Sequence, residues 1–383
     1  MTSHLNSIKL NVGRDNMNLL DYIAWRGDLS FEERKLNEID SLILSILAYE
    51  NYDGILSEKE NKTLKETADC FFEKYDEETL KNRVLLTNRS YELLKEAANT
   101  KRFGDLVMSN YINEVDEQKE VQFAAVTFCH KEWKYVAFRV TDDTIVGWKE
   151  DFAMTYRDEV PSQHRAVEYI HRLDSDTSFL NKLLKRDILY IGGHSKGGNL
   201  AMYAAAAAAE EIQKKMKRVD NFDGPGFHEE MWQQPSFQRI LPLIHTYIPN
   251  GSVFGRLFAH LEKVSIIKSD QSGLLQHDAF SWHVTAHHFV YQEDMTLGSE
   301  KAAAKLNSML DEYTPRQREE LVASLFNVFE KLNIHTLSDL TKLDLSKGIL
   351  AIREINALDS RSKKVLIDML KVIWDVSEIL PFK

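Results

Sequence analysis

The hydrophobic pattern changes character along the chain. Up to about residue 115, apolar positions recur mostly at helical spacing. Asp40 stands where it would cap a helix through "SLILSILAYE", and "NRSYELLKEAANTKRFGD" predicts another helix that stops near Gly104. Two apolar or alternating runs follow, "VQFAAVTFCH" (121–130) and "KYVAFRV" (134–140). They are rich in Val, Phe and Ala, and the charged "KEW" separates them, which predicts a hairpin. Next come a polar turn running into a helix, "TDDTIVGWKEDFAM", and a clearer helix, "SQHRAVEYIHRLDS".

The following pattern is strand, helix, strand, in repetition. "DILYIGG" (187–193) is a short apolar run ending in glycines, and "GNLAMYAAAAAAEEIQKKMKR" is a long helix with alanine-rich packing at its start. "VDNFDGPGF", "LIHTYIPNGS" and "KVSIIKSD" read as strands, each ending in turn chemistry. This alternation predicts an α/β fold, a mostly parallel sheet covered by helices on both faces, with ligand and catalytic groups at the carboxyl ends of the strands.

From about residue 295 the pattern is helical again, through "SEKAAAKLNSMLDEY" and "TPRQREELVASLFNVFEKL", the second with a capping-box start at Thr314, Pro315 and Gln317. The expected organisation is one unit over residues 1–295, with a helical N-terminal region (1–115), and a helical appendage over 296–383. The last helix, "KKVLIDMLKVIWDVSEIL", is amphipathic and is expected to pack on its own protein.

Composition narrows the classes of function. The 383 residues are 43% hydrophobic and 28% charged, enough to bury a core and stay soluble. A net charge of −11 argues against bulk electrostatic binding of nucleic acid or anionic membrane. Cys70 and Cys129 lie far apart and follow no metal spacing, as reduced thiols of a cytosolic protein would. The N-terminus has no basic start followed by an apolar core, and the longest apolar stretches are too short to span a bilayer. A cytoplasmic protein with no signal peptide and no transmembrane segment is expected.

The candidate chemistry sits in "IGGHSKGGNLA". Gly193-His194-Ser195-Lys196-Gly197 is a G-x-S-x-G that directly follows an apolar strand and directly opens a helix, the setting of a nucleophile elbow. Side chains at the glycine positions would collide with strand or helix, and the helix N-terminus aims N–H groups at developing negative charge. A serine hydroxyl needs a base, and in this architecture the order is Ser, acid, His. His277, in the loop "SDQSGLLQHDAFSWHV" after the last strand, is the best-placed base, with His283 second.

The cluster His283, His287 and His288 lacks the glutamate of H-E-x-x-H and has the neighbours of a packed segment, so no metal is expected. For the acid, Asp223 in "FDGPG" ends the strand after the nucleophile helix. Asp270 lies close to the histidine loop, and Asp278 adjoins His277 directly. The usual acid position, in "YIPNGSVFG", offers Asn250 and Ser252 but no carboxylate. Asp223 is therefore the expected acid. The oxyanion donors expected are the backbone N–H of Lys196 and, from "FRVTDDTIVGWKEDF", Thr141. The Lys196 side chain has two readings, attraction of an anionic substrate or pairing with a helix carboxylate or solvent.

In order, "FRVTDDTIVGWKEDF", "GGHSKGGNLAMYAA", "NFDGPGF", "IPNGSVFGRLF" and "QHDAFSWHV", with the N-terminal "LLDYIAWRGDLSFEERKLNEIDSLILSILAY", resemble a bacterial domain family of unknown function. That family is placed among the lipase-like α/β hydrolases and is more distantly similar to the class 3 (fungal triacylglycerol) lipases. The resemblance implies an α/β-hydrolase fold, Ser195 as nucleophile, His277 as base and Thr141 in the oxyanion region. Two departures stand out: Val140 replaces the glycine of the lipase-like F-R-G-T, and no aspartate occupies "YIPNGS". The expected function is a cofactor-free serine hydrolase acting on a small-molecule or lipid ester. The alternative is a weak or inactive hydrolase scaffold that binds a ligand or partner.

Overall fold

The computed structural model describes residues 17–81, 89–116, 118, 121–139, 145–175 and 188–334, with positions 353, 356 and 363. Val140 and Thr141 lie outside the described residues, as does most of the expected closing helix.

Helices α1 (Leu19–Arg26), α2 (Glu38–Leu47), α3 (Leu64–Lys74) and α4 (Ser90–Ala98), with a short helical turn at Glu77–Lys81, come before the long strands of the sheet. The α2 helix begins differently from the sequence expectation. Asn37 is its N-cap, accepting from the Ile39 and Asp40 amides, and Asp40 is the third helical residue, whose carboxylate accepts from the Asn37 N–H. Asp40 then has a second task, because it is buried and paired with Arg102 and the Tyr22 hydroxyl. The α4 helix ends at Ala98, short of Gly104, and the chain turns there.

Among the described residues one sheet holds eight strands in sequence order. They are β1 (Lys62–Thr63), β2 (Val107–Asp116), β3 (Val121–Cys129), β4 (Trp133–Phe138), β5 (Ile188–His194), β6 (Met216–Phe222), β7 (Ile244–Pro249) and β8 (Lys263–Ile267). Pairing is antiparallel from β1 to β4 and parallel from β4 to β8. The expected β3–β4 hairpin is present. The ten-residue β2 corrects the expectation of a mostly helical stretch up to about 115.

Helices α5 (Ile145–Ala153), α6 (Pro161–Ser175), α7 (Lys196–Ala207) and α8 (Pro235–Ile240) lie between or after the parallel strands. The α7 helix is shorter than the alanine-rich pattern predicts. Ala208 turns to extended backbone, and Met216–Arg218 join β6 because they pair with β5.

Strand alternation explains the two cores. Phe123, Ala125, Val136, Phe138, Ile191 and Val219 face α6 and α7 in one core. Val126, Phe128, Tyr135, Ala137 and Phe222 face the N-terminal helices in the other. The N-terminal region is thus the cover of one sheet face, and the chain has an α/β-hydrolase fold, a mostly parallel sheet between helical layers. Helices α9 (Leu297–Asp311) and α10 (Pro315–Lys331) follow, and Gln317 closes the capping box on the Thr314 N–H. The α9 helix runs along the loop after β7: Asn307 bonds Phe258 N and Arg256 O, and Ser299 donates to the Ser252 carbonyl. The α10 helix packs on α5, with Phe152 and Phe326 ring centroids 5.9 Å apart.

Candidate active site

Ser195 stands between β5 and α7 with φ 56° and ψ −130°. This is a left-handed backbone for a residue with a Cβ and costs about 1–3 kcal/mol. The flanking glycines make it possible. A Cβ on Gly193 would lie 2.2 Å from the Gly197 carbonyl carbon, and a Cβ on Gly197 would lie 2.2 Å from the Phe138 carbonyl oxygen. The turn therefore packs backbone against backbone across β4, β5 and α7. Ser195 is half-buried, and its N–H continues the parallel ladder to the Phe222 carbonyl at 2.8 Å.

Asp223 repeats the arrangement one strand over. It follows β6, has φ 54°, and donates its N–H to the Tyr247 carbonyl at 2.9 Å. Its carboxylate is fully buried and takes three donors. His277 Nδ1 lies 2.6 Å from Oδ2, the Ser252 hydroxyl donates to Oδ2 at 2.7 Å, and the Gly255 N–H donates to Oδ1 at 3.1 Å. Ser252 thus occupies the segment without a carboxylate and serves as a donor to one that comes from the neighbouring strand.

His277 ends a 3-10 turn, Gly273–His277, in the loop after β8. Its ring neighbours are Phe254 and His194, each with a ring centroid 4.5 Å away. The main chain of the loop is held as well. The Trp282 indole donates to the Gln276 carbonyl at 2.7 Å, and the Gly251 N–H donates to the Gln276 side chain at 2.7 Å. Next to His277, the Asp278 carboxyl is pushed up to about 6 by burial, against the pull of the Phe280 N–H, Arg89 and His277.

The structure therefore brings Asp223 and His277 together at the strand ends beside Ser195. It pairs two of the other candidates with each other: His283 Nε2 lies 2.5 Å from Oδ1 of Asp270, whose side chain is exposed. The segment holding His283, His287 and His288 is not helical, and among the described residues no group of His, Cys, Asp or Glu is placed to hold a metal ion. Nor, among them, is any helix long and apolar enough to cross a membrane.

Lys196 is placed against one of its two readings. Its Nζ is buried, 2.6 Å from Oε2 of Glu150 and 3.2 Å from Oδ1 of Asp151, with the Gln122 carbonyl at 3.3 Å. Burial alone would lower its pKa, but Asp151 and Glu150 outweigh burial and hold it above the ordinary lysine range. Glu150 also accepts from the Gln122 and Ser162 amides at 3.1 and 2.7 Å. The ammonium is buried and committed to Glu150 and Asp151 of α5. Its backbone N–H belongs to the first turn of α7, where amides have no acceptor within the helix.

Sequence reasoning missed Tyr49, His194, Glu150 and Phe254. Only Glu150 left a signal, as the carboxylate a lysine beside the nucleophile calls for.

Residues 97–327 match the model of the Mbeg1-like family. Among solved structures, the chain is similar to the Lip2 lipase from Yarrowia lipolytica, with 8% identity, a TM-score of 0.34, and coverage of 48% of this chain and 71% of that one. It is also similar to a lipase from Rhizopus microsporus var. chinensis, with 16% identity, a TM-score of 0.35, and coverage of 51% and 71%. No curated protein matches the sequence. With the strand–serine–helix turn inside the matched residues, and the match spanning more than half of the chain, this protein belongs to the Mbeg1-like family.

Proposed function

We propose that the chain is a serine hydrolase that cleaves an acyl ester, with Ser195 as nucleophile, His277 as general base and Asp223 as the acid that orients it. The observation that carries this reading is the 2.6 Å contact between Asp223 and His277 Nδ1 beside the strained Ser195 turn. An ionised carboxylate only accepts, so Nδ1 holds the proton and Nε2 is left as a base. Ser195 Oγ attacks the ester carbonyl carbon while its proton passes to Nε2. The C–O bond then breaks as the imidazolium protonates the leaving alcohol, and water cleaves the acyl-enzyme by the same route. The Lys196 N–H supplies one oxyanion donor and the Thr141 segment the other.

The substrate class in this reading is a small-molecule or lipid ester. A cytoplasmic setting fits the two unpaired cysteines, Cys70 and Cys129. The test is labelling by a fluorophosphonate probe, with a known hydrolase alongside. Labelling of the wild type and none of Ser195→Ala supports the reading. An unlabelled, folded wild type without ester turnover favours the second reading, a ligand- or partner-binding scaffold, which Val140 at the lipase-like glycine position motivates.

A further inference from the structure

We propose that His194, held in one tautomer by Tyr49, is a positioning residue that fixes the main chain of His277. The proposal rests on the reading of Ser195, His277 and Asp223 as a hydrolytic triad. It starts from the residue that precedes Ser195 in the turn. The His194 side chain is buried at the end of β5, and its Nε2 lies 2.8 Å from the His277 carbonyl oxygen. A carbonyl oxygen only accepts, so Nε2 carries the hydrogen. Nδ1 is then a bare lone pair, and the atom facing it is the hydroxyl of Tyr49. Tyr49 is the donor in that bond, and His194 is the donor in the next. The chain of bonds has one direction only: Tyr49 hydroxyl to His194, His194 to His277 carbonyl.

Burial pushes the His194 ring well below the usual histidine range, and the neighbouring His277 pushes it the same way. A neutral His194 suits its place, because its ring lies 4.5 Å from that of His277, which becomes cationic when it takes the Ser195 proton. With both nitrogens engaged, His194 has no free site for proton transfer to a substrate. It acts through His277.

The bond to the carbonyl completes the fixing of that residue. Gln276 and His277 present successive carbonyls, one to the Trp282 indole and one to His194. Phe254 and His194 pack against the ring, each with its centroid 4.5 Å away, and Asp223 holds Nδ1. What stays available is the Nε2 edge. Tyr49 lies two residues beyond α2, outside the matched residues 97–327. The N-terminal helices therefore reach the site through this hydroxyl, in addition to covering the sheet.

The experiment uses the full chain with ¹⁵N-labelled histidine and the variants Tyr49→Phe, His194→Leu and His194→Gln. The ring resonances of His194, assigned by their loss in His194→Gln, are expected to report hydrogen on Nε2 and none on Nδ1 in the wild type. The downfield proton of His277 Nδ1, bonded to Asp223, is expected to shift or broaden in Tyr49→Phe and His194→Leu. It should hold in His194→Gln, whose amide still donates through Nε2 and accepts through Oε1. On a short-chain ester, Tyr49→Phe and His194→Leu should lower kcat about 10- to 100-fold per folded molecule, with KM little changed. His194→Gln should recover most of it.

A merely structural role predicts lower melting temperatures with wild-type kcat per folded molecule. That result, or hydrogen found on Nδ1 of His194, overturns the proposal. Should the wild type neither label with fluorophosphonate nor turn over, the hydrolase reading fails, and the His277 resonance alone decides whether His194 positions that ring.

Discussion

Asp223 and His277, 54 residues apart in the chain, share a 2.6 Å hydrogen bond in which the carboxylate is also held by Ser252 and Gly255. The ring closes onto an acid whose place is set by two groups from the loop after β7. That loop is braced in turn by α9, through Ser299 and Asn307.

Asp223→Asn tests the pair. An amide at this position offers N–H to the His277 Nδ1, which stabilises the tautomer with hydrogen on Nε2, where the Ser195 proton must go. Ester turnover is expected to fall about 10⁴-fold, as when a triad histidine is held in the wrong tautomer. The melting temperature should change little, since the asparagine oxygen still accepts from Ser252 or Gly255. Turnover within about tenfold of wild type would remove Asp223 from the role of acid.

Lys196→Met tests the buried pair with Glu150. Removing one partner of a buried ion pair leaves the other charge uncompensated, at about 3–5 kcal/mol. Urea unfolding should show a loss of that size. Adding Glu150→Gln should return part of it, because the glutamine oxygen still accepts from the Ser162 or Gln122 amide while the orphan charge is gone. The Lys196 ammonium is engaged by Glu150 and Asp151, so the ratio of turnover between anionic and neutral esters is expected to stay unchanged in folded Lys196→Met. A selective loss on anionic esters would mean that the ammonium reaches the substrate.

These two groups differ in how visible they are in the sequence. The Ser195 turn is legible because its causes are local: an apolar strand, small residues where backbones touch, then a helix. Asp223 is legible through chain order and strand ends. The roles of Ser252 and Tyr49 are not, because they act through contacts made 29 and 145 residues away, and Glu150, 46 residues from Lys196, is signalled only by the lysine. The strand β2 is hidden by its residues. "VMSNYINEVD" mixes Val107, Tyr111, Ile112 and Val115 with Asn, Glu and Asp, residues depleted in strands, and it forms by pairing with the almost wholly buried β3. The end of α7 misleads in the opposite sense: alanine propensity runs on, but parallel pairing takes Met216 and Arg218 into β6.

Gly197→Ala tests the turn itself. The new methyl would stand 2.2 Å from the Phe138 carbonyl oxygen, a contact with backbone that no side-chain rotation relieves. Either β4 or the start of α7 must move, and overpacking of this kind costs about 1–3 kcal/mol. The movement displaces the Lys196 N–H, so turnover should fall by more than the unfolded fraction explains. A variant with wild-type stability and turnover would show that the turn tolerates a side chain at this position.

Asp278→Asn tests the buried carboxyl beside His277. Its folded-state value of about 6 lies above the ordinary aspartate value of 3.8, because burial disfavours the charged form. The folded chain therefore holds this proton more tightly than the unfolded one. Below about pH 4 the carboxyl is neutral in both states and has no effect. Between about pH 4 and pH 6 the unfolded chain has lost the proton and the folded chain has not, so stability falls as pH rises. Above about pH 6 the carboxyl is charged in both states and the full penalty, on the order of 3 kcal/mol, is present. Asparagine can still accept from the Phe280 N–H, as Asp278 does at 3.1 Å, and carries no charge. Asp278→Asn is accordingly expected to melt higher than wild type near pH 7, with the gap closing as the pH approaches 4. Melting curves at several pH values check this. A gap that does not depend on pH, or one that widens in acid, would mean that the carboxyl does not carry its proton into the fold.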